Sequence, residues 1–432
     1  MWGPWRFTVS EIRGVTVKIR IELRRVNKRL ARAFTGAALA VLLMAIPVTS
    51  GWGRNKVDYS IEPEYDRKLD RVVISLASKS RDLSFHKAII ESLPYYTEII
   101  MLLPQKRADS IKDQIRLLRW GGKVRMVPYD SWTLKDTKAY VLSSRKQELK
   151  AVRKNLSLSS GTIWAQDLFE VVRGENGMNS LLKPYMYNLI VPPARDAGRK
   201  VQSDNIFLKK LASSRLGIRS LPLMFKGGNV LIDNHNGRRI AFVGGDVIRE
   251  TMLVSEEALG SSVSAKEVKD RLRHYLNVDQ VVVVGEKIQQ PLQMFHLDQA
   301  MVLLPGGNAA VTRVVDMGVS KFDPRVYPVT LFLDGLREQL RSLGYRIVDI
   351  HASVDDVLDY RYYVNGVPYV NRESGKREFL MPQFDASSTG INAVIFERNV
   401  SAIESLGFRV IPVHTHVNEH HGGIHCMVNV IS

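Results

Sequence analysis

Short β-branched runs alternate with single helical stretches along most of this chain, and that alternation is its strongest constraint. Residues 72–76 form one apolar run, followed by a helical stretch over 85–93. A second run covers 98–103 and is stopped by Pro104, before an amphipathic helix from about 109 to 120. A third strand follows over 123–127. Runs of the same kind recur at 281–284, 300–304, 346–350, 393–397 and 409–413, with helical patterns over 325–343 and 399–406. Such a sequence predicts an α/β fold. No Pro/Ser-rich linker divides residues 53–432, which read as a single catalytic domain. The charged stretch 131–160 lacks periodicity and reads as an inserted surface segment.

The 432 residues contain one cysteine, Cys426, six residues from the end. That excludes internal disulfides and any multi-cysteine metal site. A lone cysteine is either a buried structural residue or a thiolate kept for chemistry, and composition alone leaves both open. Gly422 and Gly423 precede it. Glycine lets backbone and substrate approach where a Cβ would clash, which favours chemistry.

Net charge is +17, of which +7 falls in residues 1–33. The rest is dispersed, with no run of five or six consecutive like charges and no basic patch interleaved with aromatics, so nucleic acid is not an expected partner. After the basic stretch comes an uncharged run over 33–48. It is short for a membrane-spanning helix, which needs about 20 apolar residues. Its length and its positive flank match a signal-peptide core, with small residues at 48–51 offering a cleavage point. Residues 1–52 are therefore read as an export leader, with an uncleaved anchor and an early start codon as the alternatives. Export places the protein outside the cytoplasm, touching membrane only through that leader.

Four local patterns carry chemistry. They are Trp164-Ala165-Gln166-Asp167-Leu168-Phe169-Glu170, then Phe225-Lys226-Gly227-Gly228-Asn229, then Phe295-His296-Leu297-Asp298, and finally Gly422-Gly423-Ile424-His425-Cys426. Taken singly each is weak, since a His-x-Asp pair is more often a satisfied structural pair. On a strand, His296 and Asp298 would share a face. Together the four supply a thiol, an imidazole and carboxylates, the parts of nucleophilic catalysis on a charged electrophile.

In order and spacing these patterns resemble the guanidine-modifying, or pentein, superfamily, over about residues 160–432. The protein-arginine deiminases look most similar, through Trp164, Gln166, Asp167 and Glu170 and through the closing His425-Cys426. Agmatine deiminases usually carry Arg where Gln166 stands and Glu where Lys226 stands. The runs Tyr363-Val364-Asn365 and Pro382-Gln383-Phe384-Asp385, however, look agmatine-type. The resemblance implies five ββαβ-like modules in a pseudo-fivefold α/β propeller.

It also implies a mechanism. Asp167 and Asp298 would hold a planar guanidinium by charge-assisted hydrogen bonds. Cys426 would attack its carbon, and His296 would protonate the departing ammonia and then activate water. Trp164, Gly228 and Asn229 would complete the substrate site. The expected reaction converts peptidyl-arginine to peptidyl-citrulline, in an arginine-containing peptide or protein. Deimination of agmatine or free arginine, amidino transfer and a module without catalysis are the alternatives. The chemistry needs no cofactor; calcium is the one the resemblance adds, through Gln166 and Glu170. A zinc site among His414, His416, His420, His421 and His425 is disfavoured, because their spacing lacks a helical His-Glu-x-x-His pattern.

Overall fold

The computed structural model describes residues 57–76, 83–118, 120–129, 164–184, 216–259, 262–317, 319–384, 391–416 and 421–432. The leader at 1–52 and the segment at 131–160 lie outside them. Among the described residues no helix is long and apolar enough to cross a membrane.

Five small sheets repeat one plan. In each, a central strand has an antiparallel neighbour on one side and a parallel neighbour on the other. The five central strands are Asn179–Lys183, Arg238–Gly244, Asn308–Val315, Arg377–Gln383 and Arg71–Ser75. A parallel neighbour needs a crossover, and helices supply it. Tyr327–Ser342, Ile391–Glu404 and Ser84–Ser92 each bridge one such pair, and Gly245–Leu259 with Ala265–Tyr275 bridge another. The antiparallel pairs need only tight turns. Asn236 and Gly237, both at positive φ, make the turn between Val230–His235 and Arg238–Gly244, as a two-residue hairpin loop prefers.

Apolar patterning sets the layers. Val72, Val73 and Ile74 are buried on both faces of their strand, as are residues 99–103 of its parallel neighbour Glu98–Pro104. Continuous apolar runs of this kind are the mark of covered parallel strands, and each fully buried Ile or Leu is worth about 1.5–3 kcal/mol. The helix Ala265–Tyr275 is fixed at its start by a capping box. Ser264 Oγ accepts from the Glu267 amide at 3.2 Å, and the Glu267 carboxylate accepts from the Ser264 amide at 2.7 Å.

Two expectations need correction. Residues 393–397 are not a strand but the first half of the helix Ile391–Glu404. A short apolar run has no periodicity to separate the two states, and here the parallel crossover demands a helix. His296 and Asp298 are not on a strand either. His296 caps a 3-10 turn, Leu297–Gln299, which carries Asp298 into the strand Met301–Leu304.

Candidate active site

The antiparallel neighbour of each central strand, its leading strand, is preceded by a tight turn, and these turns deliver the chemistry-bearing residues. Gln166–Leu168 carries Asp167, Gly227–Asn229 carries Gly228 and Asn229, and Leu297–Gln299 carries Asp298. The single helical turn Ile424–Met427 carries His425 and Cys426. The fifth turn, closed by a bond from the Asn365 amide to Tyr362 O at 3.1 Å, carries Asn365 ahead of Val367–Val370.

Four of these turns converge on the thiol. Cys426 Sγ donates to Asp298 Oδ2 at 3.1 Å and accepts from Asn365 Nδ2 at 3.4 Å. Ligating atoms of His296, Asp298 and Cys426 lie within 4.8 Å of one another. His296 Nδ1 stands 3.9 Å from Asp167 Oδ1. Cys426, His296, Asp298 and Asp167 are buried, at 3–4% exposure, and Asn365 is buried with them. Asp298 Oδ1 and both ring nitrogens of His296 have no hydrogen-bond partner among the described residues. Buried polar atoms in that condition are uncommon and call for an explanation. A planar ligand rich in N–H donors would satisfy the carboxylate oxygen.

Glycines make the convergence sterically feasible. A Cβ on Gly228 would lie 2.6 Å from Asp298 Oδ2 and 3.1 Å from His296 Nδ1. One on Gly423 would lie 2.4 Å from Asn365 Oδ1, and one on Gly422 would meet the Trp164 ring at 2.5 Å. Trp164 thus packs against the backbone leading to Cys426. Asn229 acts as a brace, its Nδ2 donating to Asp246 and its Oδ1 accepting from the Leu297 amide at 3.0 Å. Gln299 ties the same turn to His421 O at 3.0 Å.

Electrostatics set the protonation states. Burial pushes the Cys426 thiol well up, and Asp298 and Asp167 add to that, so it is neutral before a cation arrives. Burial holds His296 well below the ordinary histidine value, with Lys226 and His425 reinforcing it. It is therefore a neutral imidazole able to take a proton. His425 behaves oppositely. Its burial would depress the pKa, but Glu64 and Asp298 outweigh that and raise it to about 10. Its Nδ1 donates to Asp298 Oδ2 at 2.9 Å and its Nε2 to Glu64 at 2.8 Å. With both nitrogens donating to carboxylates, the ring is an imidazolium clamped between two acids.

Glu64, Asn365 and the clamping role of His425 were not found by sequence reasoning. Glu64 lies 361 residues from His425, in a 3-10 turn without a motif. Tyr363-Val364-Asn365 did carry a signal, through its likeness to the agmatine-type pattern.

The residues offered for calcium do not fit it. Glu170 is buried, its pKa raised to about 8 by that burial, and the Arg67 guanidinium stands 4.0 Å from it. Two side chains, one of them facing a cation, fall short of the six to eight oxygens calcium takes. Of the clustered histidines, His414, His416 and His421 are exposed while His425 is buried, and His420 lies outside the described residues. Among the described residues the one group able to gather three metal-ligating side chains is His296, Asp298 and Cys426.

No protein-family model and no curated protein matches the sequence. Solved structures do resemble the fold. The agmatine deiminase of C. jejuni aligns with a TM-score of 0.55 at 13% identity, over 88% of this chain and 97% of that one. The agmatine deiminase of Enterococcus faecalis gives 0.55 at 12%, over 86% and 95%. A protein provisionally named a peptidyl-arginine deiminase gives 0.58 at 12%, over 87% and 98%. At such identities the likeness carries the fold and not the activity. These structures are members of the pentein, guanidine-modifying superfamily, and it is their mixed α/β fold of several small sheets that this chain shares.

Proposed function

We propose that this protein hydrolyses a guanidinium group to a ureido group and ammonia through a thiouronium on Cys426. The observation that carries the reading is the buried chamber where thiol, neutral imidazole and two carboxylates meet. Asp298 Oδ1 and the two ring nitrogens there lack partners among the described residues. A guanidinium brings the missing donors and the missing positive charge together. The five-module propeller expected from the resemblance is part of the same proposal, supported by five sheets repeating one strand plan.

In this reading Asp298 and Asp167 fix the guanidinium plane. The cation's arrival favours the thiolate, and the thiol proton passes to His296. Sγ then bonds to the central carbon, the C–N bond breaks, and His296 returns its proton to the leaving ammonia. Water next loses a proton to His296 and adds to the thiouronium carbon. The C–S bond breaks, the thiol regains the proton, and a ureido product leaves. His425 takes no proton in this sequence; it holds the Asp298 carboxylate in place. Peptidyl-arginine is the substrate that the Gln166 and Glu170 resemblance supports. The charges beside the site favour a different end group, argued below.

Cys426→Ala tests the core of the proposal. Ureido formation from arginine, agmatine and an arginine peptide should fall at least about a thousandfold on losing the nucleophile. Retained turnover in that variant would sink the covalent mechanism.

A further inference from the structure

The catalytic reading leaves the far end of the substrate unassigned. Beside His296 lies a cavity of about 440 Å³, lined by Lys226, Asp246, Arg249, Glu250, Leu292 and Phe295 among others. That volume lies within the range of small-molecule sites. His296, 3% exposed, lines the cavity and belongs to the catalytic cluster, so the cavity abuts the reacting centre.

Its walls differ in character. Leu292, 86% exposed, and Phe295 supply an apolar side suited to a methylene chain. Asp246 and Glu250, which also line the cavity, stand one turn apart on the helix Gly245–Leu259. Lys269 also lines the cavity but is paired with Glu286 at 2.8 Å. Two cations, Lys226 and Arg249, and two acids, Asp246 and Glu250, remain. None of the four is closed into an ion pair within 4.0 Å among the described residues, although each lies close enough to affect the others. Lys226 reaches solvent at the edge of the cavity; partial desolvation opposes its charge, and Asp167, Glu250 and Asp246 outweigh that, raising its pKa.

We propose that this cavity receives the charged α-carbon end of a free guanidino amino acid, Lys226 and Arg249 taking its carboxylate and Asp246 with Glu250 its ammonium. The inference rests on the guanidinium reading of Cys426, Asp298 and Asp167. A substrate bearing only a second cation meets the acids but leaves Lys226 and Arg249 unanswered, with Lys226 repelling the guanidinium near Asp167. A peptide-embedded arginine brings neither charge, and it would desolvate all four groups against neutral amides. An amino-acid end answers both signs at once.

The test compares ureido formation by the full chain on L-arginine, agmatine, arginine amide, Nα-acetyl-arginine and the doubly blocked Nα-acetyl-arginine amide. L-Arginine should lead every analogue in kcat/KM by at least about tenfold. Lys226→Gln should lower kcat/KM on L-arginine at least about tenfold and erase its lead over arginine amide. Glu250→Gln should erase its lead over Nα-acetyl-arginine. Equal rates on L-arginine and the doubly blocked compound would overturn the inference while leaving guanidinium chemistry standing. So would a Lys226→Gln variant that slows all five compounds alike. No ureido product from any of them would overturn the guanidinium reading itself, and this inference with it.

Discussion

Asp298 is the residue on which the site turns, because one of its oxygens is spent before any ligand arrives. Oδ2 accepts from both Cys426 and His425, while Oδ1 stays unpartnered among the described residues. The His425 imidazolium donates to that carboxylate, and Glu64 together with Asp298 keeps His425 charged. The pH consequence has a definite sign. A histidine whose folded pKa is about 10 rather than 6.5 contributes stability that is fully present below about pH 6.5. That contribution is lost as pH rises through 10. Urea unfolding should therefore show a stability decline from neutral towards pH 10. Glu64→Gln should cost about 3 kcal/mol at pH 7, since it breaks a buried pair, and should flatten the alkaline decline. An unchanged alkaline slope in that variant would show that Glu64 does not hold the proton. The sequence made Cys426, His296, Asp167 and Asp298 legible because each sits in a local pattern. Glu64 was not legible: its partner is 361 residues away, and a Glu in a turn after Pro63 is unremarkable by itself.

At the scale of elements, the working parts are turns and not strands. Asp167, Gly228, Asp298 and Cys426 each sit in a single turn just ahead of a leading strand, so strand registers set their mutual distances. His296 and Asp298 would share a face on a strand; the structure brings them close from a 3-10 turn instead. Periodicity over three residues cannot separate a 3-10 turn from a strand start, and the same ambiguity misread residues 393–397. Gly228 shows how tight the assembly is. Ala at this position would press on Asp298 Oδ2 and His296 Nδ1 together. Since misplacing reacting groups by about 1 Å can cost about a hundredfold in rate, Gly228→Ala should lose about that much turnover. Its melting temperature should fall only a few degrees, because strain in one turn costs about 1–3 kcal/mol. Full activity in a folded Gly228→Ala protein would mean that the turn has slack that the geometry does not show.

At the scale of the molecule, the last described strand is sewn into a sheet with an early one. Val428–Ile431 pairs antiparallel with Arg71–Ser75, from Val428 opposite Ile74 to Ile431 opposite Arg71. The helical turn bearing Cys426 therefore hangs from a strand fixed by Arg71–Ser75. The α/β class was legible because alternation is written locally, whereas this closure joins residues more than 350 apart and leaves no local trace. A second link crosses between sheets. Fully buried Asn429 donates from Nδ2 to Phe169 O at 2.7 Å. Phe169 follows directly on the turn that holds Asp167, so one amide couples the strand after the thiol to the carboxylate facing it. Asn429→Ala should leave that carbonyl buried without its donor, at about 1–3 kcal/mol. If the link also sets the distance between Asp167 and Cys426, substrate KM should rise together with the loss of stability. Arg409→Ala, which removes an exposed guanidinium from a different sheet, should change neither. Denaturant melts and steady-state rates on the two variants decide the matter: a destabilised Asn429→Ala protein with wild-type KM would mean that strand closure supports the fold without positioning the site.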